Sequence, residues 1–143
     1  MTAVSEAAVI KKIHEEAIMN VKENLKYSKS HEWVEEIDAT TVKIGLSDFA
    51  QHELGDLVFV NLPEVGDTVT AGETFADVES VKAVSDVFSP VTGTVSAINE
   101  ELLDNPAAIN EDPYGAWFVE VKEVSDKEEL LDSAAYSKLC EEA

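Results

Sequence analysis

The chain has 143 residues, thirty acidic against ten basic, and a formal net charge of −20. That length suits one domain, and 45% hydrophobic residues supply a core, which excludes wholesale disorder. Every basic residue is a lysine. So acidic a chain, lacking an arginine fork, is a poor binder of nucleic acid, and no apolar run approaches a membrane span.

Residues 1–24 stand apart as an N-terminal extension. Ile10, Ile13, Ala17, Ile18 and Val21 recur at helical spacing, with Lys11, Lys12, Glu15, Glu16 and Lys22 between them, so an amphipathic helix is expected. Met19 precedes the more regular patterning, so an alternative start is as open as a helix packed on the domain. The first residues lack the continuous apolar stretch of a signal peptide. Glu6, Glu15 and Glu16 are unlike an arginine-rich transit peptide, so an intracellular, untargeted chain is expected.

From Leu25 to Ala143 the pattern is that of one domain. Trp33-Val34 and Thr41–Leu46 read as hairpin arms. Ser47 or Asp48 can cap a short helix through Phe49, Ala50 and Leu54 that stops at Gly55. Strand-like runs follow at Leu57–Leu62, Thr68–Thr70, Thr74–Val78, Ala83–Val87, Gly93–Ile98 and Trp117–Val121, separated by Gly and Pro turns. Ser125-Asp126-Lys127-Glu128 reads as a capping box before a C-terminal helix carrying Leu130, Leu131, Ala134, Ala135 and Leu139. The expected fold is mainly β. It is a flattened β-barrel or barrel-sandwich with one short internal helix, a C-terminal helix and the N-terminal amphipathic helix. Val65-Gly66-Asp67-Thr68-Val69 and Val91-Thr92-Gly93-Thr94-Val95 form a weak repeat around a central hairpin, suggesting two pseudo-symmetric halves.

No conventional active site assembles from these residues. There is no phosphate-binding Gly-rich loop, nucleophile elbow or H-E-x-x-H pair. His14, His31 and His52 are scattered, and the acids of the C-terminal helix lack a histidine partner, so no metal site is expected. The single Cys140 cannot pair within the chain and reads as a bystander thiol. Trp33, Phe59, Phe75, Trp117 and Phe118 fall on strand patterns and read as core. One position is unusual. Lys82 lies between two alternating strands, where a hairpin would hold its amine out to a modifying enzyme; on spacing alone an ordinary solubilising lysine is the favoured reading.

Glu79-Ser80-Val81-Lys82-Ala83 resembles the lipoylation motif of the glycine cleavage system H-protein family. The likeness continues collinearly over about residues 25–143. Leu25–Trp33 resembles the family's N-terminal strand, Ile44–Gln51 its short helix, and Gly55–Pro63 the next strand. Ser89–Gly93, Asn105-Pro106 with Ile109-Asn110, and Pro113-Tyr114-Gly115 through Trp117 follow in order. The resemblance implies a non-catalytic carrier with lipoic acid joined by an amide to Lys82. Glu79, Ser80, Val81 and Ala83 would form the motif that a lipoate ligase or lipoyl transferase reads. The implied partners are a pyridoxal-phosphate glycine decarboxylase, a tetrahydrofolate-dependent aminomethyltransferase and an FAD-dependent dihydrolipoyl dehydrogenase. The arm would carry the aminomethyl group between the first two and return its dithiol to the third. One cysteine cannot run dithiol exchange alone, so a borrowed cofactor is chemically apt.

By the same resemblance Ser30, Glu32 and His52 match a cleft that shelters the loaded arm. A carboxylate with hydroxyl and imidazole partners suits an ammonium group. Read without it, Glu32 and His52 would be an ordinary surface pair. A biotin carrier would flank its lysine with methionine, and an acyl carrier would be helical, so both fit less well. A lipoyl domain of a 2-oxo-acid dehydrogenase, or an H-like lipoyl donor to other complexes, are the nearer alternatives. The expected location is the bacterial cytoplasm, with the mitochondrial matrix as alternative. The acidic surface would steer encounters with basic docking faces.

Overall fold

A computed structural model describes residues 20–142. Two antiparallel sheets face one another. The strands are β1 (Lys26–Tyr27), β2 (Glu32–Glu36), β3 (Val42–Leu46), β4 (Leu57–Asn61), β5 (Thr68–Val69), β6 (Thr74–Ser80), β7 (Val84–Phe88), β8 (Val91–Ile98) and β9 (Val119–Lys127). The larger sheet runs β1-β2-β3-β9-β8-β5 and the smaller β4-β6-β7. The helices are α1 (Asp48–Leu54), α2 (Glu101–Asp104), α3 (Ala108–Glu111) and α4 (Ser133–Glu142). The mainly β barrel-sandwich expected from the strand spacing is the fold observed. No helix among the described residues is long and apolar enough to cross a membrane.

The main core lies between the sheets, where Val34, Ile44, Val78, Val87, Val95 and Phe118 are fully or almost fully buried. Successive strand residues point to opposite faces, so Trp33 points away from it. Trp33 enters a second, smaller cluster with Leu25, Tyr27, Phe49, Tyr136 and Cys140. β2 is therefore buried on both faces, and Glu32, two residues before Val34, shares the inward side at its end.

The two repeats prove to be neighbours. Thr68 pairs with Thr94 and Val69 with Gly93, while Gly66 N–H donates to Val95 O and Val95 N–H to Asp67 O, each at 2.8 Å. The hairpin β6–β7 springs from between them.

Two expectations change, and a third falls almost wholly outside the described residues: the N-terminal helix is expected over 1–24, of which only 20–24 are described, with a turn at 23–24 and Asn24 at φ 72°. The stretch Leu25–Trp33 is not one strand: β1 and β2 are separated by a turn over residues 28–31 with His31 at φ 76°. Ser125–Glu128 is no capping box. Val91 and Thr92 pair with Lys127 and Asp126, so β9 continues through it. Leu130 and Leu131 then bury into different clusters from extended backbone, with Leu131 bridged to Tyr27. α4 starts only after Asp132, whose carboxylate accepts from Ala135 N–H at 2.8 Å. The short helices α2 and α3, unforeseen in the sequence, bury Leu102 and Ile109.

Gly45 stands opposite Trp33 across the β2–β3 ladder, and a Cβ there would lie 2.6 Å from the indole ring. The ring cannot retreat, because its Nε1–H donates to Pro113 O at 3.0 Å. Gly45→Ala is expected to destabilise the fold by about 2 kcal/mol, the scale of core overpacking. Urea denaturation against wild type measures it; an unchanged midpoint would show that the indole moves freely.

Candidate functional site

The β6–β7 hairpin ends in Val81 and Lys82, both exposed. Tight two-residue hairpins ordinarily need positive φ and therefore Gly or Asn. Neither Val81 nor Lys82 has positive φ. Ser80 supplies the closure instead. Its N–H donates to Ala83 O at 2.8 Å, and its hydroxyl oxygen accepts from Ala83 N–H at 3.1 Å and Lys82 N–H at 3.3 Å. The serine side chain thus takes the place that a backbone carbonyl would hold. Val81 N–H donates to Asp56 O, tying the tip to the start of β4.

The tip is not polar throughout. Val81 and Val84 are 75% and 69% exposed, and Phe59 is half exposed. Phe59 stands opposite Glu79, and Glu79 opposite Val84, so one row across the smaller sheet carries an acid between two apolar residues. The Lys82 stem lies along Gly55, where a Cβ would come 3.4 Å from Cε. Gly55 ends α1 at φ 83°, a conformation that favours glycine.

Beside the hairpin opens a cleft of about 370 Å³. It lies between the two sheets and one side of α1, as helical spacing requires for Phe49, Ala50, Glu53 and Leu54. Leu46, Val78 and Val87 give it apolar walls; Ser30, Glu32, Ser85 and Asp86 give it polar ends. Ser30 and Glu32 therefore come together. His52 does not join them in the lining: it is exposed on the other side of α1, near Asp48. Glu79, Ser80, Val81 and Ala83 surround Lys82 at the tip. His31, Glu53, Ser85 and Asp86 were not singled out in the sequence. Glu53 follows from α1 periodicity and Asp86 from strand alternation after Lys82, once the cleft is placed.

Glu32 is the cleft's most unusual group, 1% exposed. The turn at 28–31 brings two hydroxyls to one oxygen: Ser28 donates to Oε1 at 2.7 Å, and Ser30 donates to it as well. Phe88 N–H, on the facing sheet, points at Oε2 from 3.4 Å. Burial pushes the carboxyl up to about 7, the hydrogen bonds opposing it only in part. A neighbouring His31 moves the other way, held below the ordinary imidazole range by burial, with Glu53 partly offsetting it. No group of metal-ligating side chains occurs among the described residues.

Unfolded, a glutamate ionises near 4.5; folded, Glu32 holds its proton to about 7. Between those values the folded state binds the extra proton, so this group's contribution to stability falls as pH rises and is lost above 7. The difference corresponds to about 3 kcal/mol. Glu32→Gln is therefore expected to gain stability relative to wild type between pH 5 and pH 8. Parallel denaturant titrations at the two pH values check this, and a pH-independent difference would refute it.

The family model described as glycine cleavage H-protein matches residues 25–143. A glycine cleavage system H protein of Lachnoclostridium phytofermentans is 59% identical over 120 residues, covering 84% of this chain and 94% of the relative. A probable glycine cleavage system H protein of Pyrococcus furiosus is 51% identical over 121 residues, covering 82% and 90%. The crystal structure of a glycine cleavage system H protein from Mycobacterium marinum superposes with a TM-score of 0.77 at 40% identity, covering 82% of this chain and 97% of that one.

Proposed function

The chain belongs to the glycine cleavage H-protein family, and from that premise we propose that Lys82 bears the lipoyl group and that the cleft beside it shelters the loaded arm. The role is that of lipoyl carrier in the glycine cleavage system, a component that passes an aminomethyl group between enzymes. The observation that carries the site assignment is the geometry of the tip: an exposed lysine on a Ser80-closed turn, next to a cleft with apolar walls and acidic ends.

The residues suit such a group. An amine on an exposed turn is open to acylation by a lipoate ligase or lipoyl transferase. Asp86 is four residues along β7 from Lys82, roughly 13 Å of extended strand. A lysine lengthened by a lipoyl chain has the reach for that. Leu46, Phe49 and Val87 fit a hydrocarbon chain, and Glu32, Glu53 and Asp86 fit an ammonium end. The lipoyl group supplies disulfide–dithiol chemistry when attached; the protein binds, orients and excludes water. His52, off the cleft wall, belongs to α1's outer surface in this reading.

Glu32 does most when ionised, because a carboxylate paired with ammonium outweighs a neutral acid. Uptake of the charged end draws the proton from Glu32, so retention of the cargo strengthens as pH rises through about 7. No step of bond making falls to the polypeptide, which serves as a non-catalytic component. Its enzyme partners in this reading are the pyridoxal-phosphate glycine decarboxylase, the tetrahydrofolate-dependent aminomethyltransferase and the FAD-dependent dihydrolipoyl dehydrogenase. The apolar residues around Lys82 give these enzymes a face to grip beside the arm. A bacterial cytoplasm is the location that accompanies this role.

Two outcomes are expected. Intact mass after treatment with a lipoate ligase shows one lipoyl increment on wild type and none on Lys82→Arg; an unmodified wild type sinks the carrier assignment. Glu32→Ala accepts the lipoyl group normally but loses its aminomethyl cargo about ten- to a hundredfold faster, the effect of one charge-assisted hydrogen bond. Equal cargo lifetimes would remove Glu32 from the cleft's function.

A further inference from the structure

Tyr136, on α4, has no place in the carrier chemistry so far, yet it is fully buried against the cleft wall. Its ring stacks on Tyr27 at 4.3 Å and 7°. Its hydroxyl lies 2.6 Å from Ser47 Oγ and 2.7 Å from His31 Nδ1. Burial holds that hydroxyl protonated far above the ordinary tyrosine range.

Proton counting fixes the direction of these bonds. Ser47 is fully buried, and its oxygen already accepts from Ala50 N–H at 3.2 Å as the cap of α1. Its own O–H needs an acceptor, and Tyr136 is the one within reach; leaving it without one is costly. Tyr136 then receives from Ser47 and must donate onward. Cys140 Sγ is a weak acceptor, whereas the imidazole Nδ1 is a strong one. The chain runs Ser47 O–H to Tyr136 O–H to His31 Nδ1, which leaves the proton of the neutral ring on Nε2.

We infer that Tyr136 is a positioning residue of the cleft, fixing His31 as the Nε2–H tautomer so that one wall offers a neutral hydrogen-bond donor to the sulfur end of the arm. This rests on the cleft being the arm's resting place. The other ionisable groups of the cleft, Glu32 from β2, Glu53 from α1 and Asp86 from β7, are carboxyls. Ionised, they suit an ammonium and repel a thiolate. His31, a donor without charge, has no such conflict with the sulfur end. From α4 the groups facing it are Tyr136, with Cys140 behind. The ring packs on Phe49 at 4.7 Å, and its αL backbone belongs to the turn that aims Ser28 and Ser30 at Glu32. One turn thus sets both the acid and the donor.

The test separates this from the carrier assignment, because its first arm uses unmodified protein. Two-bond 1H–15N NMR spectra at neutral pH are expected to show His31 as the Nε2–H tautomer in wild type and as a tautomer mixture in Tyr136→Phe, which keeps the stacked ring. The Nδ1–H tautomer or an imidazolium in wild type overturns the inference, whether or not the variant folds. The second arm uses lipoylated, reduced protein, with alkylation of the arm thiols followed by peptide mass across pH. Tyr136→Phe is expected to raise the midpoint by about half to one pH unit, about three- to tenfold less thiolate at a given pH. An unmoved midpoint overturns the assignment of the donor to sulfur. Failure to lipoylate at all would tell against Lys82, and the tautomer spectrum would still decide the role of Tyr136.

Discussion

Everything near the cleft follows from β2 being buried on both faces. Most strands of a two-sheet sandwich need one apolar face and leave the other to water. Trp33 forbids that here, since its indole must be covered on the side away from the core. Covering it takes Gly45 across the ladder, Pro113 as hydrogen-bond acceptor, and the turn and helix that bring Tyr27 and Tyr136. With that face occupied, Glu32 has only the inner side left, at the rim where the sheets part. A carboxyl forced there needs Ser28, Ser30 and Phe88 N–H, and even these leave its proton held to about 7. The unusual acid is a consequence of the tryptophan beside it.

Local chemistry made much of this legible in the sequence. The Ser47 cap, the Gly55 stop and the alternation of Val42–Leu46 were decided by neighbours in the chain, and the structure agrees with each. Where distant partners decide, local reading failed. Ser125–Glu128 has the residues of a capping box, yet its backbone is claimed by β8, and ladder pairing outweighs a cap. Leu130 and Leu131 look like a helical face but serve two separate clusters from an extended segment. The turn at 28–31 was hidden because a histidine with positive φ carries no compositional signal.

The site divided along the same line. Lys82 and its flanking motif are contiguous in sequence, so the hairpin could be placed from spacing. The cleft is assembled from β2, β3, α1, β6 and β7, and only the meeting of the two sheets selects its members. Ser30 and Glu32 sit on that meeting line. His52 is one residue from Glu53, but one step along a helix turns a side chain about 100°, which is enough to take it out of the lining. Tyr136 lies more than a hundred residues from His31, beyond any pattern that local periodicity could expose.

The acidic excess also acquires a distribution. Carboxyl groups at the cleft and along the hairpin give a carrier's working face one sign, which favours brief encounters with basic surfaces over lasting ones. Lys82 is the one cation of the β6–β7 hairpin, and the acylation proposed for it would remove its charge.

The pairing of the two short repeats has a topological consequence. Gly66 and Val95 meet through a backbone hydrogen bond, so the chain between them leaves and re-enters the sandwich at one place. A segment whose ends touch can change at its far tip without moving the point where it joins the sandwich. In the proposed reading the lysine arm sits at that tip, while the base of the same hairpin lends Val78, Ser85, Asp86 and Val87 to the cleft. The tip is thus free to vary, whereas the base is tied to β2 and the acid through Phe88 N–H.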